Sequence, residues 1–214
     1  MTYRTPLFSR SRFILSACSL LIVCFLAACG SGGASTGTVA TTTGGNTPTT
    51  TQPTSAPATS LTTYTGNGFH IGYPTGWTID KASTTAASVI FIDPTRTIEF
   101  IVTATPNPNA NSATSVALDP RLQSMQSKPH YQKVDIAPTT TVGGETWDQI
   151  GAIGDLQTYS GQSLSSKVIA LAINRPKADA STKMYIIQFS APTKDFDQTD
   201  STTFQPMLQS FSFA

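Results

Sequence analysis

The spread of apolar and polar side chains divides the chain into three stretches of different character. Residues 13–28 (FILSACSLLIVCFLAA) form one nearly unbroken apolar run. Residues 30–62 show no periodicity and almost no large apolar side chain. From residue 63 onward, short apolar segments alternate with Gly, Pro, Asn and Asp, which is the pattern of strands separated by turns.

Within that last stretch, residues 69–73 (FHIGY) predict a strand, the Pro74-Thr75-Gly76 triplet a turn, and residues 77–80 a second extended piece. Residues 88–92 (SVIFI) predict a strand closed by Asp93-Pro94. In residues 97–105 (TIEFIVTAT), Ile98, Phe100, Val102 and Ala104 alternate onto one face. A polar helical stretch follows over residues 112–127, which Pro120 interrupts. Asp119 is placed to cap a fresh helix with Pro120 at its first position, Leu122 and Met125 facing inward. Residues 131–136 and 145–150 predict strands on either side of a Gly143-Gly144 turn.

Two later strands carry most of the expected core. In residues 167–173 (KVIALAI), Ile169, Leu171 and Ile173 share one face while Val168, Ala170 and Ala172 share the other. Residues 184–189 (MYIIQF) are apolar on both faces as well. Strands of this kind imply a sheet covered on both sides. The polar connection at residues 174–182 makes the pair an antiparallel hairpin. Phe204, Met207, Leu208 and Phe211 then follow helical spacing, predicting a closing helix over residues 203–210 with Pro206 in its first turn. The expected fold class is α+β: a single domain over residues 63–214, with one antiparallel sheet of six to seven strands and helices packed on it.

Charge and cysteine change this picture by adding an address. The formal net charge of the 214 residues is +1. Of the thirteen Lys and Arg, Arg4, Arg10 and Arg12 precede the apolar run, so the remainder is slightly acidic. A near-neutral domain has no electrostatic footprint for nucleic acid and no polybasic patch for anionic lipid. The basic start and apolar run suit a secretory signal, since a membrane span needs about 20 apolar residues. The run ends in Leu26-Ala27-Ala28-Cys29-Gly30, which resembles the lipobox of bacterial lipoproteins. The resemblance implies a signal peptide over residues 1–28, a diacylglyceryl thioether on Cys29 and cleavage that makes Cys29 the mature N-terminus. Two acyl chains anchor stably where one is marginal.

Cys18 and Cys24 lie in the leader, so the expected domain holds no thiol and no disulfide. Residues 29–62, lipidated Cys plus a Gly/Ser/Thr/Pro segment, are expected to form a disordered tether with a reach of roughly 30 Å. The chain is thereby expected at a cell membrane, lipid-anchored and facing the extracytoplasmic side.

Three further pieces carry a second resemblance. They are Phe69–Trp77 read as F-x-I-x-Y-P-x-G-W, the Val142-Gly-Gly-Glu-Thr-Trp147 segment before the long hairpin, and YIIQFSAP at 185–192 followed by the closing FQPMLQSFSF. Together they are similar to the Mog1/PsbP-like family, most of all to bacterial PsbP-like lipoproteins. The resemblance implies an antiparallel sheet sandwiched between helices. Plant PsbP proteins assist photosystem II and Mog1 proteins bind a nuclear-transport GTPase. No binding residue of either group maps onto this sequence, and fold alone does not carry function.

Candidate chemistry is sparse. His70 sits within a strand and His130 in a loop, without the spacing of a zinc site. Asp195, Asp197 and Asp200 lack the glycine and terminal glutamate of a calcium loop and read as turn and helix-start residues. Trp77 and Trp147 read as core residues at strand ends. No nucleophile elbow is present, and neither cofactor nor catalytic residue is assigned.

The first expectation is a non-enzymatic binding or accessory module, held at the membrane by the lipid on Cys29 and meeting a protein partner. The alternative is a small-molecule or solute-binding lipoprotein, with a hydrolase third. An exposed flat aromatic patch would favour the first, an apolar pocket with convergent polar groups the second, and a buried His–carboxylate pair the third.

Overall fold

The computed structural model describes residues 60–214. The leader, Cys29 and nearly all of the expected tether lie outside the described residues. Among the described residues eleven strands and two helices follow in the order β1 (Leu61–Thr65), β2 (Phe69–Pro74), β3 (Thr78–Ile79), β4 (Ser88–Ile92), β5 (Glu99–Pro106), helix α1 (Thr114–Gln126), β6 (Gln132–Val134), β7 (Thr139–Val142), β8 (Glu145–Gln157), β9 (Ser163–Arg175), β10 (Lys183–Pro192), helix α2 (Phe196–Ser210) and β11 (Ser212–Phe213). The α+β class expected from the hydrophobic pattern is the class observed. The sheet is larger than the six to seven strands predicted, and it is accompanied by a second one. An eight-stranded antiparallel sheet runs β3-β4-β5-β10-β9-β8-β6, with β7 also on β8, and a separate three-stranded sheet runs β1-β2-β11. The extra strands are short or rich in threonine, so their side chains carry no clear alternation: LTTYT in β1, TTTV in β7 and a two-residue β11.

The long strands form where the sequence alternates. In β9, Ile169, Leu171 and Ile173 enter one core cluster while Ala170 and Ala172 enter another. The main sheet is thus packed on both faces, but unequally. One face meets β2 and α2 through an aromatic core that includes Phe69, Phe91, Phe100, Trp147, Phe189 and Phe204. The other meets the start of α1 through a small cluster of Ala113, Ala117, Leu118, Ala170, Ala172 and Ile186. Alanines here let the helix backbone approach the sheet closely. Trp147 is fully buried, and its indole Nε1–H donates to the Val142 carbonyl at 2.9 Å, satisfying the one polar group it takes out of water. Trp77 is half-buried and packs against the same core, so both tryptophans take the core role expected of them.

Both helices contain a proline, and both absorb it in the same way. Helix α1 begins with a wide π-type stretch, Thr114–Leu118, continued by the α-helical Asp119–Gln126. Helix α2 begins as α-helix over Phe196–Thr199, widens over Asp200–Phe204 and closes as α-helix over Gln205–Ser210. Pro120 and Pro206 each sit second in the closing stretch, two residues after the widening ends. A proline lacks the N–H for the bond four residues back and its ring crowds that carbonyl; wider winding removes both conflicts.

Pro120 therefore does not break α1, contrary to the predicted interruption. Asp119 does not cap a new helix either, because Leu118 precedes that stretch without a side-chain cap. The inward residues are Ala117 and Leu118, with Leu122 and Met125 only half-buried. Helix α2 starts at Phe196, seven residues before the predicted 203, because Phe196 and Phe204 both drop into the aromatic core. Among the described residues no helix is long and apolar enough to cross a membrane.

Candidate functional site

The small-residue face of the sheet is where a site forms. Helix α1 covers it only in part: its second half, Asp119–Gln126, contributes no fully buried residue. Beyond the seated turn lies a half-open cavity of about 320 Å³ between that second half and the sheet, at the lower end of the range of small-molecule pockets.

Strand register builds its floor as two cross-strand rows. In the first, Ala152 on β8 opposes Val168 on β9, Val168 opposes Ser190 on β10, and Ser190 opposes Glu99 on β5. In the second, Ile150 opposes Ala170, Ala170 opposes Gln188, and Gln188 opposes Ile101. Alternation places all eight on the α1 side, because their neighbours Phe100, Leu171, Ile187 and Phe189 point into the aromatic core. Met125, Lys128 and Arg121 of the helical side and Leu156 of β8 complete the walls. Gly154 lets the end of α1 come close: a Cβ there would lie 3.1 Å from the Lys128 Cβ and 3.3 Å from the Met125 methyl.

Three half-buried polar side chains, Glu99, Arg121 and Gln188, converge on this mostly apolar space, with Ser124, Lys128 and Gln157 exposed at its rim. Glu99 is half-buried, and the Ser190 hydroxyl donates to its Oε1 at 3.1 Å. Burial pushes the Glu99 carboxyl above its ordinary value, opposed by the Ser190 hydrogen bond. Arg121 donates from Nε to the Gln188 Oε1 at 3.2 Å and from Nη1 to the Ala117 carbonyl at 2.9 Å. Burial pushes its guanidinium below the usual range. Among the described residues, no ion pair engages Glu99 or Arg121. Glu99 Oε2 and Arg121 Nη2 thus make no hydrogen bond among the described residues, and both residues, of opposite charge, line the cavity. A smaller recess on the far side of Glu99 is lined by Arg96 and Tyr159. Burial first, then the charge of Glu99, raises the Tyr159 hydroxyl.

The residues singled out in the sequence lie elsewhere. Cys29 falls outside the described residues. His70 is on β2, its Nδ1 3.0 Å from the Thr65 hydroxyl. His130 Nδ1 is 2.8 Å from Asp155 Oδ2, but its side chain is 78% exposed, so the pair is a surface one. Asp195, Asp197 and Asp200 lie along the start of α2 and engage separate partners: Lys194 at 3.9 Å, Lys167 at 3.3 Å and the Gln205 amide at 3.1 Å. Among the described residues no three His, Cys, Asp or Glu gather as a metal site. Glu99, Arg121 and Gln188 are not among the residues that motif and spacing single out. The one signal the sequence offers is Glu99, the acid set among otherwise apolar or hydroxyl-bearing positions of TIEFIVTAT.

No protein-family model matches this chain, and no curated protein matches it. Among solved structures the chain is similar to LpqN of Mycobacterium tuberculosis, described as involved in cell envelope biogenesis, at 12% identity and a TM-score of 0.48 over 72% of this chain and 91% of that one. It is also similar to the Saccharomyces cerevisiae Ran-binding protein Mog1p, at 11% identity and a TM-score of 0.44 over 72% of this chain and 95% of that one. These are similarities of chain course at low identity, and neither bears on what the cavity holds.

Proposed function

We propose that this protein is a lipoprotein anchored through Cys29 on the extracytoplasmic side of a membrane, and that its domain acts without catalysis by binding a small amphiphilic molecule in the cavity beneath α1. The observation that carries the binding role is the convergence of the half-buried Glu99, Arg121 and Gln188 on a mostly apolar cavity of about 320 Å³. A flat protein-docking face finds less support, since every Phe, Tyr and Trp side chain among the described residues is at least partly buried. A hydrolytic role finds none in the exposed His130–Asp155 pair. The address rests on the lipobox resemblance at residues 26–30 and the apolar run before it.

Binding is tested with the mature chain carrying Cys29→Ser, so that no lipid competes, and 1-anilinonaphthalene-8-sulfonate as probe. Saturable one-site fluorescence enhancement is expected, and Ala152→Phe, which fills the cavity from its floor, removes it. Enhancement that does not saturate, or that survives Ala152→Phe, overturns the reading. The anchor is tested separately in cells: Cys29→Ser is expected to abolish acylation of the mature product by intact mass, and an unacylated native protein overturns it.

A further inference from the structure

The two half-buried charges that face the cavity, Glu99 and Arg121, are opposite in sign and not paired to each other, while Lys128 stands exposed at the rim, and this narrows the ligand. A cavity lined by one charge would select an ion. A cavity whose acid and base bonded each other would be neutral and would select an apolar molecule. Here the acid enters from β5 and the base from α1. Register keeps them apart: Arg121 is held over Gln188, and Gln188 is one alternation, about 7 Å along β10, from the Ser190 that holds Glu99. Each side chain is held by neighbouring groups, Glu99 by Ser190 and Arg121 by Gln188 and the Ala117 carbonyl, so both are oriented before a ligand arrives. Between and beside them the walls are Ile150, Ala152, Val168, Leu156 and Met125.

We infer that the cavity takes a small zwitterion with an apolar body, an ammonium group meeting Glu99 Oε2 and a carboxylate meeting Arg121 Nη2. This rests on the binding role proposed above and specifies its ligand. An ammonium supplies the counter-charge that the sheet withholds from Glu99, and a carboxylate accepts from the guanidinium edge that Gln188 and Ala117 leave free. The apolar body lies along the β8–β9 wall. Relief of the Glu99 desolvation by the incoming cation adds to the preference.

The test uses three probes with one phenyl body: phenylalanine, phenethylamine and 3-phenylpropanoate, titrated calorimetrically into the Cys29→Ser mature chain. Phenylalanine is expected to bind at least about tenfold more tightly than either singly charged probe, as one charge-assisted hydrogen bond of about 1.5–3 kcal/mol requires. Glu99→Gln, which keeps an acceptor for Ser190, is expected to remove its advantage over phenylpropanoate. Arg121→Met is expected to remove its advantage over phenethylamine. Equal binding of the three probes, or an advantage that survives Glu99→Gln, overturns the inference. Retained one-site binding of anilinonaphthalene sulfonate with no phenylalanine binding overturns it too, while leaving the cavity reading intact. Loss of both probes from the chain carrying Cys29→Ser alone overturns both.

Discussion

The two faces of the main sheet are built on different principles. On the α2 face, Phe100, Phe189 and Phe204 lie with ring centroids 4.6–6.1 Å apart, and Trp147 meets Phe211 edge-on at 5.5 Å. On the α1 face the buried set is mostly alanine, and Glu99, Arg121 and Gln188 stand at its margin. Large interlocking aromatics supply the stability of the fold. Small residues let a helix rest on the sheet without filling the space beside it, and that space is where polar groups survive half out of water. The aromatic face is in effect the foundation on which a poorly filled face can be kept.

Substitutions can break or sharpen this contrast. The largest effect is expected on the aromatic face: Trp147→Ala removes a fully buried side chain and should lower unfolding free energy by about 3–5 kcal/mol in urea titration. On the opposite face, growth rather than loss is damaging. Ala172→Leu, directly beneath the seated turn of α1, should cost about 1–3 kcal/mol by overpacking. Ala152→Phe, which points into the cavity, should cost less than Ala172→Leu while abolishing probe binding. If the two cost the same, the cavity does not have the free space described.

A subtler effect concerns Glu99. Its folded-state value lies above its unfolded one, so the native state holds the proton more tightly, and stability falls as pH rises through that interval. Glu99→Gln should therefore be more stable than the parent at neutral pH, with the gap closing toward acid, where both states of Glu99 are protonated. A gap independent of pH would show that the carboxyl is not desolvated. Smallest of all, Asp197→Asn removes an exposed partner of Lys167 at 3.3 Å and should change stability by no more than about 1 kcal/mol. Lys167 keeps its position over the Phe196 ring, 4.3 Å from the centroid.

Much of the aromatic face is legible in the sequence, and little of the other. The alternation of β9 alone assigns Ile169, Leu171 and Ile173 to one side, and the spacing of Phe204, Met207, Leu208 and Phe211 assigns the buried stripe of α2. Apolar periodicity reads such positions because burying a large side chain is worth about 1.5–3 kcal/mol wherever the element lies. The second half of β8, GAIGDLQ, does not read as strand, since two glycines and an aspartate erase the alternation. The widened turns before Pro120 and Pro206 are not legible either, because they answer a local backbone conflict that leaves no hydrophobic trace.

By itself, then, the sequence determined the class, the long central strands, the sided character of β9 and the identity of the core aromatics, all through local periodicity. Only the tertiary structure decided the site. Glu99 and Gln188 become near neighbours because β10 returns to pair with β5, and Arg121 reaches them because α1 is seated by Ala117 and Leu118. Those pairings are fixed by how all the elements satisfy their hydrogen bonds and bury their faces at once. A cavity is what remains where that collective solution leaves a gap, so no single segment can announce it.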